Sequence, residues 1–138
     1  MKPLEGITVL EFSTMITASF AAMMMAEQGA RVIKVEPMNV GDPMRYIGAN
    51  KGGISSLFAN CNRGKQSIRV NLKEQAGQEL IRELVAEADI FIHNFRPGVM
   101  DKLNLGSDAL RALNPRLVYA AISGFGKEGP LGRAPAYD

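Results

Sequence analysis

Ile7-Thr8-Val9-Leu10-Glu11-Phe12, the run from Thr17 to Gln28, and Arg31-Val32-Ile33-Lys34-Val35-Glu36 decide the fold. The first and third segments are short, apolar and β-branched, as buried strands are, and the second is a run of helix formers and small residues. Together they predict a βαβ unit. Gly29 lies one residue past the helical run, where a left-handed backbone favours glycine, and it separates the helix from the second strand. A parallel pair of this kind needs further strands and helices to cover both faces, joined by right-handed connections. The fold class that follows is α/β, an open and mainly parallel sheet with helices on both faces.

Upstream, Met1 to Gly6 is a short lead-in. The turn after the first strand, Ser13-Thr14-Met15-Ile16-Thr17-Ala18, contains no glycine, so the Gly-x-Gly-x-x-Gly dinucleotide fingerprint is absent. Thr17 or Thr14 reads as the cap of the following helix, and the amides at the helix start offer a second reading as an anion contact. The methionines Met23-Met24-Met25 cannot share one helix face at about 100° per residue, so at least one meets another surface. A helix buried within the sheet assembly is the simpler account of this apolar run.

Downstream, Met38 to Gly53 is rich in glycine and predicts a long loop, of the kind that is functional or mobile. Within it Asp42 and Arg45 read as a local ion pair or turn, or Arg45 as a cation near a phosphate-bearing ligand. Ile54 to Asn60 predicts a short helix and Ser67 to Asn71 a strand. Arg63, Lys65, Arg69 and Lys73 read either as phosphate contacts or as a solvated edge. Lys73 to Glu87 is amphipathic, with Leu80, Leu84 and Ala88 on one stripe flanked by Ala76, Ile81 and Val85.

Asp89 to His93 is the next buried strand, and it runs directly into Asn94-Phe95-Arg96-Pro97-Gly98. Open parallel sheets bind ligands outside the carboxyl ends of their strands, so this turn is the strongest local site signal. Asn94 offers donor and acceptor, Phe95 a ring face, and Arg96 or Lys102 a positive charge, a set suited to a ligand with base, phosphate and linker. His93 reads as structural, because it has no partners forming a catalytic constellation or metal cluster. Ser107 to Leu113 predicts a helix capped by Ser107, and Leu117 to Ile122 a strand that ends at Ser123-Gly124-Phe125-Gly126. That turn permits close backbone approach but is no nucleophile elbow.

The bulk properties fit one soluble domain: 138 residues, 46% hydrophobic and 22% charged. A net charge of +2 is too small to imply nucleic acid or an anionic membrane as partner. Cys61 is the only cysteine, no secretory signal pattern opens the chain, and the longest apolar run falls short of the roughly 18 residues of a membrane span, so a cytoplasmic setting is expected.

The ordered set Pro3-Leu4-Glu5-Gly6-Ile7, Gly29 to Pro37, Gly41-Asp42, Asn94 to Gly98, Asn114-Pro115-Arg116-Leu117, Ser123 to Gly126, Gly129-Pro130 and Tyr137-Asp138 resembles the amino-terminal part of family III CoA-transferases of the CaiB/BaiF type. That group contains formyl-CoA transferase, carnitine CoA-transferase and α-methylacyl-CoA racemase. The resemblance implies that residues 1–138 are the amino-terminal part of a large Rossmann-like domain, incomplete relative to the family. It implies a second small domain and a carboxyl-terminal return beyond this stretch, and two subunits interlocked as rings. The implied reaction moves CoA between an acyl-CoA and a carboxylic acid through a nucleophilic aspartate expected downstream, so Asp138 is not that group and this chain alone is expected to be inactive. CoA is implied as a substrate, with no tightly bound cofactor and no metal. By the same resemblance Met15, Ile16, Thr17, Asn94, Phe95, Arg96 and Lys102 contact CoA, and Tyr137 lies near the thioester, where the racemase branch carries histidine. Ile16 stands where formyl-CoA transferase has glutamine, and His93 where glutamate is frequent. A racemase or epimerase, or a non-catalytic CoA-binding module, are the alternatives.

Overall fold

The computed structural model describes residues 1–132 and 134–136. Five parallel strands form the main sheet: β1 (Thr8–Phe12), β2 (Arg31–Glu36), β5 (Gln66–Arg69), β6 (Ile90–His93) and β7 (Val118–Ala121), in the spatial order β5-β2-β1-β6-β7. A small antiparallel pair, β3 (Asn50–Lys51) and β4 (Ile54–Ser55), stands apart from it. The helices are α1 (Thr17–Glu27), α2 (Ser56–Cys61), α3 (Gln75–Glu87), α4 (Val99–Lys102) and α5 (Ser107–Leu113). The predicted α/β class and parallel sheet are therefore observed.

Alternation along the strands divides the core in two. Leu10, Phe12, Ile33, Val35 and Phe91 face one side, where Ile81 and Val85 of α3 and Leu110 of α5 cover them. Val9, Val32 and Ile92 face the other, against Ala18 and Ala22 of α1. Small residues on the inner face of α1 let the helix axis approach the sheet closely. Phe12, Phe91 and Tyr119 form a continuous aromatic stack, with ring centroids 4.5 and 5.1 Å apart. Gly29 adopts φ +104° as its position requires, and a β-carbon there would meet the Lys2 side chain at 2.7 Å.

Several expectations change. Neither Thr14 nor Thr17 caps α1: Ile16 is the cap residue and no side chain supplies the cap bond. Ser107 likewise begins α5 inside the helix, with Gly106 at the cap. Burial of α1 is one-sided, because Met23 is buried while Phe20 and Met24 are 47% and 46% exposed on the outward face. On α3 the buried stripe is rotated to Ile81 and Val85, and Leu80 faces out, since the sheet contacts the flank and not the centre of the predicted stripe. The predicted helix over Ile54 to Asn60 gives its first two residues to β4 and extends to Cys61, with the Ser55 hydroxyl accepting from Phe58 N–H.

The long loop after β2 is ordered by charge. The Glu36 carboxylate is fully buried and accepts from Arg45 at 2.6 and 2.7 Å, from Ser67 at 2.5 Å and from the Asp42 amide at 2.8 Å. Arg45 also lies 3.9 Å over the Phe58 ring, and a 3-10 turn spans Pro43–Tyr46. Arg45 is thus a loop anchor and not a free cation for a ligand, and it pairs with Glu36 instead of Asp42.

Burial by itself would raise the Glu36 carboxyl, but the bonds from Arg45, Ser67 and the Asp42 amide override it and hold it at about 2. A carboxyl depressed on folding stabilises the native state fully above its ordinary value, and that contribution disappears as pH falls through the folded value. Urea unfolding as a function of pH is expected to show about 3 kcal/mol lost between about pH 4.5 and 2, and Glu36→Gln is expected to flatten that limb.

Candidate functional site

The sheet order reverses between β1 and β6, which places the crevice of an open parallel sheet at their carboxyl ends. Phe12 pairs with His93 in register, so the turns that follow, from Ser13 and from Asn94, begin side by side. Asn94 joins them. Its amide oxygen accepts from Thr14 N–H at 3.1 Å, and its amide nitrogen donates to the Thr14 carbonyl at 2.6 Å and the Thr17 hydroxyl at 3.1 Å. One side chain thus satisfies both backbone groups of Thr14 and occupies the hydroxyl that the sequence suggests as a cap.

A second set of bonds supports the same turn from beneath. Glu11 and Lys34 are in register on β1 and β2, both buried, and Lys34 Nζ lies 2.7 Å from Glu11 Oε1 and 2.9 Å from Asp42 Oδ2. The ammonium also donates toward Ser13 and Ser19 at 3.0 to 3.2 Å, and the Ser13 hydroxyl donates to Glu11. Lys65 approaches the other Glu11 oxygen at 2.6 Å and donates to the Ser19 carbonyl at 2.8 Å. Glu11 Oε2 and Asp42 Oδ2 receive no hydrogen bond of good angle and rely on these adjacent ammonium charges. Lys65 is therefore neither a phosphate contact nor part of a solvated edge: its side chain is 2% exposed, and burial lowers its pKa against the opposing pull of Glu11.

Beyond β6 and β7 lies a cavity of about 280 Å³, lined by His93, Phe95, Asp101, Tyr119, Ser123 and Lys127 among others. The hydrogen-bond directions fix its histidine. Phe95 N–H donates to Nδ1 at 3.2 Å, so the ring proton sits on Nε2 and points to the Tyr119 oxygen at 3.2 Å; Tyr119 in turn donates to the Leu105 carbonyl at 3.1 Å. Burial drives His93 down to about 4, only partly opposed by Asp101, and pushes the Tyr119 phenol up to about 12. Both rings are neutral hydrogen-bonding walls at ordinary pH, which agrees with the structural reading of His93.

Among the residues predicted to touch ligand, the structure brings the Met15–Ile16–Thr17 turn against Asn94 and puts Phe95 in the cavity wall. Arg96 is exposed at the turn, and Lys102 is exposed at the end of α4 and does not line the cavity. Tyr137 lies outside the described residues. Sequence reasoning missed Glu11, Lys34 and Tyr119; for Asp42 it anticipated the turn, seen in the bond from Met44 N–H, but not the contacts with Lys34 and Met15. A carboxylate in the apolar strand β1 and a lysine flanked by apolar residues in β2 were the available signal for the first two. No group of three or more His, Cys, Asp or Glu able to hold a metal is found among the described residues.

Residues 4–138 match the profile of CoA-transferase family III. The chain is 43% identical over 136 residues to acetyl-CoA:oxalate CoA-transferase of Acetobacter aceti, covering 99% of this chain and 35% of that protein. It is 37% identical over 139 residues to succinyl-CoA:glutarate CoA-transferase of Homo sapiens, covering 100% of this chain and 32% of the relative. The crystal structure of a CAIB/BAIF family protein from Brucella suis superposes with a TM-score of 0.93 at 39% identity, over 99% of this chain and 37% of that one. The chain thus spans about a third of the length of these relatives.

The imidazole resonances of His93 are expected to titrate with a midpoint of about 4 in an NMR pH series. An unfolded histidine takes its proton near 6.5, so stability is unaffected above that pH and falls as pH drops from 6.5 toward 4, by ~3 kcal/mol. His93→Gln should remove this slope while leaving the more acidic limb set by Glu36.

Proposed function

We propose, from the premise that this chain belongs to CoA-transferase family III, that it forms the CoA-binding part of an enzyme moving CoA between an acyl-CoA and a carboxylic acid. The observation that carries this reading is Asn94, which ties the turn after β6 to the turn after β1 at the reversal of strand order. That junction is where an open parallel sheet receives its ligand, and the residues meeting there are those the family resemblance assigns to CoA.

In this reading the Met15–Thr17 turn and Asn94 provide a polar backbone edge for the extended part of CoA. Phe95 and the cavity beside it offer a ring face and hydrogen-bonding walls for the pantetheine or nucleotide. Arg96 and Lys102, both exposed, supply charge for phosphate without first breaking a buried ion pair. Lys65 and Arg45 are excluded from that role by their internal partners. We assign this stretch binding and orientation, and leave the covalent acyl transfer to the whole protein. There a carboxylate nucleophile would attack the acyl-CoA thioester, breaking its C–S bond to give an acyl anhydride and the CoA thiolate; the thiolate would then attack the enzyme's own carbonyl, giving an enzyme-bound CoA thioester and releasing the donor acid. The acceptor carboxylate would displace that thiolate as a new anhydride, and the thiolate would take its acyl group to give product acyl-CoA and restore the carboxylate, so one difficult transfer becomes several easier ones.

A cytoplasmic, homodimeric enzyme belongs to the same reading. It is supported by the outward apolar Phe20 and Met24 on α1, and no helix among the described residues is long and apolar enough to cross a membrane.

Calorimetric titration with CoA tests the assignment. Saturable binding is expected, weakened about tenfold by Phe95→Ala. A double substitution Arg96→Ala and Lys102→Ala should weaken it further and reduce its dependence on salt, because exposed charge pairs are screened. Absence of CoA heat from the folded chain, or binding indifferent to all three residues, would reject the assignment.

A further inference from the structure

The turn between β1 and α1 is held in a conformation that its own sequence does not favour. Met15 has φ +62°, in the left-handed region, which a side chain larger than glycine occupies only where the surroundings hold it. The residue that reaches it is Asp42, from the loop after β2. Asp42 Oδ1 accepts from Met15 N–H at 3.3 Å and from Met44 N–H at 2.9 Å, while Oδ2 lies 2.9 Å from Lys34 Nζ. The Asp42 amide is itself tied to Glu36. With its side chain completely buried and both oxygens engaged, this carboxylate cannot turn away to solvent.

We propose that Asp42, oriented by Lys34, is a positioning residue for the ligand-binding turn. Its carboxylate keeps Met15 left-handed, and so sets the line along which Met15, Ile16 and Thr17 are presented to CoA. Asp42 itself touches no ligand. Asn94 fixes the preceding residue through both backbone groups of Thr14, so the turn is gripped at two successive residues by side chains from the turn after β6 and the loop after β2. The ligand in this inference rests on the CoA reading above; the grip on the turn does not.

The 138-residue chain is used for two measurements: amide hydrogen exchange at Met15, and CoA titration of a cycle comprising the native chain, Asp42→Ala, Met15→Gly and the double variant. In the native chain the Met15 amide is expected to be protected, and Asp42→Ala is expected to open it and weaken CoA binding about tenfold. Glycine adopts the left-handed conformation without being held, so in the Met15→Gly background the same Asp42 replacement should cost less than about threefold. Equal losses in both backgrounds would show a general structural role and overturn the inference. An unprotected Met15 amide in the folded native chain would overturn it even if Asp42→Ala failed to fold, as would an amide that stays protected in that variant. If the native chain binds no CoA while Met15 opens on Asp42→Ala, the CoA reading falls and the grip on the turn stands.

Discussion

Two ammonium groups and two carboxylates buried together at the ends of β1 and β2 set the terms for the rest of the site. Lys34, Lys65, Glu11 and Asp42 have almost no solvent exposure at their side chains, and their formal charges cancel. Each ion gives up several kcal/mol of hydration on entering such a place, which close opposite charges must offset. The cluster survives because Lys34 reaches Glu11 and Asp42 together while Lys65 takes the remaining Glu11 oxygen. Deleting any one member leaves an uncompensated buried charge, a loss of about 3–5 kcal/mol. Apolar residues of similar volume could fill the same space with equal stability, but they could not aim a carboxylate at the Met15 amide.

The loop from Met38 to Gly53 depends on that arrangement more than on packing. Met44 is its main buried apolar side chain, whereas Met38, Val40, Tyr46 and Ile47 are exposed. With so little apolar burial, ordering this backbone must draw on polar contacts. Glu36 supplies three of them, to Arg45 twice and to the Asp42 amide, while Ser67 of β5 donates to the same carboxylate, and Asp42 then carries the constraint across to the first turn. A glycine-rich loop would reach a left-handed turn through its own conformational freedom. Here the turn contains no glycine, and the shape is imposed from a neighbouring loop.

This explains which parts of the molecule were legible in the sequence. The strands β1, β2, β6 and β7 and the helix α3 are recorded locally, in β-branched runs and in amphipathic period, and the structure places them within a few residues of expectation. Strand order is not local, but a βαβ unit followed by more of its kind narrows it to a small set. The position of Asn94 and Phe95 at the carboxyl end of the sheet was legible because they follow a buried strand directly. The roles of Asp42 and Lys65 were not, because each depends on a partner distant in sequence: Met15 lies 27 residues before Asp42, and Ser19 lies 46 before Lys65. A lysine in a basic run resembles solvated charge until the fold turns it inward. The α1 cap failed for a related reason, since Asn94, 77 residues away, claims the Thr17 hydroxyl.

The two faces of the sheet bring different chemistry to the same end of the molecule. On the α1 side, ion pairs run under the first turn and bond to it at Ser13 and Met15. On the α3 side, the Phe12–Phe91–Tyr119 stack extends toward His93 and Phe95, and the cavity opens where the aromatic rings give way to Asp101, Ser123 and Lys127. Asn94 stands between them, the first residue past β6, bonded to the turn on one side and adjacent in sequence to the ring that enters the cavity on the other. In the proposed CoA reading, a long ligand with an apolar and hydrogen-bonding body and a charged end would use both faces by crossing at this residue. A compact ligand could be satisfied by the cavity alone, and would leave the polar grip on Thr14 and Met15 without a binding role. The turn and the cavity are separate features joined through one amide side chain, and that is the arrangement the CoA proposal draws on.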